Sequence, residues 1–300
     1  MVHGETGVLL MAHGSPGRLD DLEAYYTHIR GGRRPSPEEV ARLKERYRRI
    51  GGRSPLSQIT HAQAQALEKN LNRGGRRFRA YVGMRHWRPF IHEAVGQMVI
   101  DGIQEAVGLA LTPHYSRLGV GAYIEAAQQA LDLKVRFVES WHDHPLFLGA
   151  LAERVRQGLA RFPQEERGTV IFTAHSLPER ILEWDDPYPR QLQETCATVA
   201  QRLGLAHWRL AYQGARRADE PWLGPDVLEV LDRLAQQDRP AALICPVGFV
   251  ADHLEVLYDI DVECRERAAQ LGLHLERTIS FNDDPRFIRA LAAIVEENLP

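Results

Sequence analysis

The chain is 300 residues long, beyond the usual reach of one hydrophobic core, which implies two domains. Its composition, 44% hydrophobic and 26% charged, is that of an ordinary globular protein and argues against a disordered or membrane-embedded chain. A formal net charge of -3, from 37 basic and 40 acidic side chains, leaves no global field to hold nucleic acid.

The N-terminus, Met1 to Gly7, lacks the basic flank and apolar core of a signal peptide, and no run of about 18 apolar residues occurs. This predicts a cytoplasmic chain with no transmembrane segment. Short apolar runs at Val8 to Ala12, Ala80 to Gly83, Ala106 to Leu111, Val135 to Val138, Val170 to Ala174, Trp208 to Tyr212 and Ala241 to Cys245 read as buried strands. Between them, Pro89 to Ile100, Tyr123 to Leu131, Pro145 to Arg161, Tyr188 to Leu203 and Leu223 to Gln236 read as helices. Strand–helix alternation implies parallel sheets covered on both faces, hence an α/β fold. The basic stretch from Arg30 to Arg49 suits an anionic ligand as well as solvent. Cys196, Cys245 and Cys264 are too scattered for a disulfide framework or a Cys-x-x-Cys metal site and read as buried apolar residues.

The halves echo each other. Leu9-Leu10-Met11-Ala12-His13-Gly14-Ser15-Pro16 resembles Ile171-Phe172-Thr173-Ala174-His175-Ser176-Leu177-Pro178, and Ala110-Leu111-Thr112-Pro113-His114 resembles Leu243-Ile244-Cys245-Pro246-Val247. Two matches in the same order predict duplicated doubly wound domains, joined near Trp141 to Pro145 and dividing the chain into 1–143 and 144–283. Ligands of such sheets sit beyond the carboxyl ends of the strands, where His13, His114 and His175 fall. Two domains face to face would form a cleft with a histidine on each wall, and His86 and Arg85 are placed to reach it as well. Neither Gly-x-Gly-x-x-Gly nor a Walker loop follows the first strand, so no nucleotide is expected. Trp141-His142-Asp143-His144-Pro145 has two histidines but no third ligand and reads as a polar interdomain connector, with Pro145 opening the next helix.

Pro246 through Cys264 is the most informative segment. A helix over Asp252 to Arg267 would stack Glu255, Asp259 and Glu263 along one face at i, i+4, i+8, with Val250, Leu254, Leu257, Tyr258 and Val262 on the apolar side. Such a ladder costs a few tenths of a kcal/mol per like-charge pair unless compensated. One reading is a solvated face neutralised by Arg265, Arg267 or an arginine elsewhere. The other places Glu255 beside His175, as an imidazole–carboxylate set that holds a borderline divalent ion with open positions and can pass it on.

Phe172-Thr173-Ala174-His175-Ser176-Leu177-Pro178 and the run from Pro246-Val247-Gly248-Phe249 through Asp252-His253-Leu254-Glu255 to Asp259 resemble the two signature segments of ferrochelatases. Tyr25 to Arg33 and Gly51 to Leu56 are similar to the monomeric bacterial branch that acts on coproporphyrin III. The resemblance implies two Rossmann-like domains, each on a four-stranded parallel sheet, with a porphyrin cleft between them and the C-terminal helix, 284–300, packed back on the first. It implies insertion of ferrous iron, a substrate, into coproporphyrin III within haem biosynthesis, by a monomer that hands its product to a transient haem-acceptor protein. By matching positions, His175 and Glu255 become the catalytic, metal-delivering pair, and Asp259 and Glu263 extend an acidic metal path. Arg30, Arg46, Tyr47, Ser54 and Tyr123, with His13, fall at positions that hold the macrocycle. His13 departs from a tyrosine common in that branch, and either ligates iron from the opposite face or hydrogen-bonds a loop such as the one after Gly14. Three scattered cysteines imply no iron–sulfur cluster. Competing readings are a cobalt or nickel chelatase for another tetrapyrrole and a non-catalytic tetrapyrrole-binding protein.

Overall fold

The computed structural model describes residues 5–129, 133–163, 168–215, 220–237 and 241–300. In the first half β1 (Thr6–Ala12) is followed by α1 (Leu22–Ile29), α2 (Pro37–Arg49), α3 (Leu56–Leu71), β2 (Phe78–Met84), α4 (Ile91–Ile100), β3 (Glu105–Ala110), α5 (Ala122–Gln128) and β4 (Lys134–Val138). The second half runs α6 (Pro145–Leu159), β5 (Thr169–His175), α7 (Tyr188–Leu203), β6 (Trp208–Gln213), α8 (Val227–Gln236) and β7 (Ala241–Cys245). A π-helical segment, Glu255–Cys264, then leads into α9 (Arg265–Leu271), β8 (His274–Arg277) and α10 (Pro285–Glu297).

The strands form two four-stranded sheets, ordered β2-β1-β3-β4 and β6-β5-β7-β8, with every pairing parallel. The two orders are the same permutation, so β1 corresponds to β5 and β3 to β7, the equivalence that the two sequence echoes predict. Burial explains why the central strands were legible. β1 is buried along its whole length, and its alternate residues serve opposite faces: Val8 and Leu10 join one apolar cluster, Leu9 and Met11 another. That is the period of a strand covered on both sides. The edge strand β8, largely half-exposed and four residues long, carries no apolar run and had no place in the expected pattern.

Several expected elements change. Helices α1 to α3 fill the stretch between the first two strands, of which Arg30 to Arg49 reads from the sequence only as basic; the charge-rich α2 opens on Pro37 and a reciprocal Ser36–Glu39 capping box. The helix expected from Leu223 starts only at Val227, because Pro225 precedes it and Asp226 caps it by accepting from the Leu228 amide at 2.8 Å. The single helix expected over Asp252 to Arg267 is instead the π-helical segment continued by α9. Positions 130 and 131 of the helix expected over Tyr123 to Leu131 lie outside the described residues, as do positions 1–4. All three cysteines are buried. Among the described residues no helix is long and apolar enough to cross a membrane.

Helix α10 packs on both α3 and α6. Its Phe287, Leu291 and Val295 belong to the apolar cluster that also contains Val8 and Leu10 of β1, Leu67 of α3, and Phe172 and Leu243 of the second sheet.

Candidate active site

His175 is the last residue of β5, and three bonds fix the chain around it. The Tyr188 hydroxyl donates to its carbonyl at 2.9 Å, the Ser176 amide donates to the Gln213 carbonyl at 2.8 Å, and the Ser176 hydroxyl donates to the Leu223 carbonyl at 2.7 Å. Its imidazole therefore leaves the sheet in a set direction. Nδ1 lies 3.1 Å from Oε2 of Glu255, and both side chains are about one-third exposed. Gly214, just past β6, has φ +73, and a Cβ there would stand 2.7 Å from His175 Nδ1. A side chain at 214 would therefore collide with the imidazole.

Glu255 opens the π-helical segment, and the Gln213 amide donates to its carbonyl at 3.1 Å. The loop before it is anchored by Asp252, which accepts from Ser280, Asn282 and Arg277, while Arg277 also grips Asp261 through two bonds of 2.8 Å. Bidentate arginine–carboxylate geometry of this kind fixes orientation as well as position. His253 donates from Nδ1 to the Ala251 carbonyl at 3.1 Å, and its Nε2 lies 3.8 Å from Glu255 Oε2. Burial acts to raise the Glu255 carboxyl, but the charges and hydrogen bonds of His175 and His253 outweigh it and hold the group well below its usual range. Glu255 is therefore an anion between two imidazoles.

The acidic ladder does not present one solvated face. Asp259 is buried, ion-paired to Arg46, and 3.5 Å from the Gln213 amide nitrogen, whereas Glu263 is exposed. Burial pushes the Asp259 carboxyl up to about 7, the Arg46 guanidinium pulling against it and Glu255 and Glu263 adding to it. The compensating arginine comes neither from Arg265, which sits by Asp261, nor from Arg267, which pairs with Asp232. It comes from α2, in the other half of the chain, and its guanidinium also lies 4.6 Å above the Tyr258 ring.

On the facing wall His13 follows β1. Its Nε2 is 3.1 Å from the Tyr25 hydroxyl of α1, so its hydrogen bond goes to a helix and not to the loop after Gly14. Solvent reaches the ring from the cleft, yet protein surrounds it at longer range. That enclosure, with the charges of His253, His175 and Arg85 against the opposing pull of Glu255, pushes its pKa down to about 4. The perturbing groups His175, His253 and Glu255 come from the other half, which puts the two strand ends within electrostatic reach of each other. Tyr123 is buried with the Arg85 guanidinium 5.9 Å from its ring, and Nη1 of Arg85 has no hydrogen-bond partner among the described residues.

Other expected binding residues sit less openly. Arg30 is paired with Glu39 at 2.6 Å, and Tyr47 is fully buried with Leu22 and Tyr25. Ser54 is buried, its hydroxyl 3.4 Å from the Leu56 amide. His114 departs most from the strand-end rule. It is buried against α7, Nε2 3.0 Å from the Thr195 hydroxyl, because the loop carrying it is tied to the second half by Tyr115 N to Gln191 and by Ser116 and Arg117 N to Asp186. Among the described residues no three His, Cys, Asp or Glu side chains form a metal cage.

Two parallel sheets of one topology, with an imidazole–carboxylate pair at one strand end facing an imidazole at the equivalent end of the other, define a two-lobed α/β fold. The structure resembles SirB from Bacillus subtilis with Fe3+ at TM-score 0.61 and 12% identity, covering 98% of this chain and 96% of that one. It also resembles CbiX, the terminal enzyme for biosynthesis of siroheme in denitrifying bacteria, at TM-score 0.55 and 14% identity, covering 98% and 100%. At these identities the likeness establishes the fold alone.

Sequence comparison is more specific. The family profile described as Ferrochelatase matches residues 5–299, and the chain belongs to the ferrochelatase family. It is 43% identical to the ferrochelatase of Herpetosiphon aurantiacus over 97% of this chain and 98% of that one. It is 45% identical to the coproporphyrin III ferrochelatase of Geobacillus kaustophilus, covering 98% and 96%. With the enzyme of that name from Bacillus subtilis the identity is 44%, covering 100% and 99%.

Proposed function

We propose that this ferrochelatase, a lyase, inserts iron(II) into coproporphyrin III to give coproheme in haem biosynthesis. The observation that carries the reading is the His175–Glu255 pair, 3.1 Å apart at the end of β5 and facing His13. The names of the Geobacillus and Bacillus relatives supply the porphyrin.

Metal insertion requires a free-base macrocycle to lose its pyrrole protons while the hydrated cation loses water. A neutral His175 accepts the two pyrrole protons in turn at one ring nitrogen and passes each on to solvent, while Glu255, held anionic, stabilises the imidazolium and replaces a water on the arriving ion. Asp259 and Glu263 continue the carboxylate line outward along the π-helical segment. Asp259 takes part once Arg46 is drawn from it, since the two are paired. His13 and Tyr123 border the macrocycle from the first wall. Arg85, with an unsatisfied guanidinium nitrogen, joins Arg30 and Arg46 as a partner for carboxylates on the porphyrin edge. The domains divide at 143/144, with 284–300 belonging to the first, and the enzyme is a cytoplasmic monomer that passes its product to an acceptor protein.

The test is anaerobic incubation of the pure protein with iron(II) and either coproporphyrin III or protoporphyrin IX, following loss of the free-base spectrum. Faster conversion of coproporphyrin III is expected. Equal rates, or preference for protoporphyrin IX, would overturn the substrate assignment.

A further inference from the structure

A second group of imidazoles lies on the first wall, apart from the His175–Glu255 pair. The His13 and His86 rings are 4.6 Å apart, and the His86 amide donates to the His13 carbonyl at 2.9 Å. Beyond His86, at the outer rim, His28 of α1 brings its Nδ1 to 3.2 Å from the His86 Nδ1. His28 is exposed, and its ring stacks on Phe90 with centroids 5.2 Å apart. Two elements 58 residues apart in sequence thus hold two imidazole nitrogens side by side, one ring braced by an aromatic neighbour and the other by a backbone bond.

Two imidazole nitrogens that share one divalent ion, each about 2.0–2.1 Å from it, stand about 2.9–3.4 Å apart for angles between square and tetrahedral. The observed 3.2 Å falls in that interval. It is also a hydrogen-bond distance, so without an ion one ring donates its Nδ1 proton to the other, and a cation takes that place as the donor ring shifts its proton to Nε2. A nitrogen-only donor set favours borderline ions such as zinc, copper or iron over magnesium or calcium. Arg88, two residues beyond His86, is paired with Glu93, which offsets its charge near the site.

We propose that His28 and His86 form a two-nitrogen docking site for a borderline divalent cation at the rim of the first wall, separate from His175 and Glu255. With two protein donors the remaining positions stay with water, so the ion is held loosely and exchanges. The site does not rest on the iron-insertion reading, because it binds an ion whatever the cleft does.

The test is calorimetric titration of the full-length protein with Zn2+ alone, together with proton–nitrogen NMR of the imidazoles. His28→Ala, at an exposed position, is expected to weaken one binding event by about tenfold or more. The His175→Ala/Glu255→Gln double variant should keep that event, and the His28 and His86 resonances should move as it saturates. A His28→Gln variant with an unchanged melting temperature guards against a folding artefact. Titrations of His28→Ala and His86→Ala that match wild type, or His28 and His86 resonances unmoved at saturation, would overturn the proposal. Because binding is read directly, the outcome stands apart from any measurement of insertion rate.

Discussion

His175 and His114 both follow strands of a parallel sheet, yet the fold puts them to opposite uses. His175 is about one-third exposed, faces a carboxylate, and sits where Gly214 clears space for it. His114 is buried between the halves, donates from Nε2 to a threonine hydroxyl that itself donates to the His142 carbonyl, and is pushed down to a pKa of about 3 by burial and by His142. One imidazole keeps its chemistry available; the other gives it up to hold two lobes in register. Position after a strand therefore selects a neighbourhood, and the loop that follows decides between exposure and burial.

The sharpest way to break this contrast is His175→Ala. Turnover should fall by about 10³-fold with porphyrin binding within several-fold, since the change removes a base and ligand but no carboxylate partner. Near-normal turnover of folded variant would return His175 to the structural class. Glu255→Gln keeps shape and removes charge, and a loss of about 10²-fold in turnover is expected. A variant that instead weakened porphyrin binding alone would make Glu255 a substrate contact.

The opposite pattern is expected at the junction. His114→Ala should cost about 2–3 kcal/mol of stability, from a lost buried hydrogen bond and the space left behind, with little change in kcat; urea denaturation beside a rate assay checks both halves of that statement. The same side chain sets an acid limit. Its folded pKa of about 3 lies below the ordinary histidine value of 6.5, so the native state binds fewer protons than the unfolded chain between those values. The stability it contributes is present at neutral pH and is lost as pH falls from 6.5 towards 3, by up to about 1.4 kcal/mol per pH unit. A stability–pH slope equal in wild type and His114→Ala would contradict this.

Tyr188 joins the two regions, edge-on to the His114 ring at 6.3 Å and bonded through its hydroxyl to the His175 carbonyl. Tyr188→Phe should therefore show the smallest change and a mixed one, about 1 kcal/mol in stability and a few-fold in kcat, with KM unmoved. A change in KM alone would place Tyr188 against substrate.

How much of this was legible follows from what each residue depends on. Central strands announce themselves because burial on both faces demands continuous apolar runs, and the repeat was visible because β1 and β5 meet the same demand. The proximity of His175 and Glu255 was legible because each lies near a strand end within a recognisable segment. The partner of Asp259 was hidden, since Arg46 is 213 positions away and no local pattern links α2 to the π-helical segment. Gly214 looked like an ordinary turn residue until the imidazole beside it was located. The burial of His114 between the halves was hidden, since Asp186 and Gln191, which capture its loop, lie on elements that no spacing in the sequence connects to it. The π-helical hydrogen bonding of 255–264 was invisible for a similar reason: its carboxylates stand at α-helical spacing.

The apolar cluster that runs from β1 through α3, α6 and α10 into β5 and β7 has a thermodynamic consequence. Neither sheet owns that interior alone, so opening one lobe exposes side chains of the other and the final helix together. Heat should therefore melt the protein in a single cooperative transition, with calorimetric and van't Hoff enthalpies in agreement, despite its two sheets.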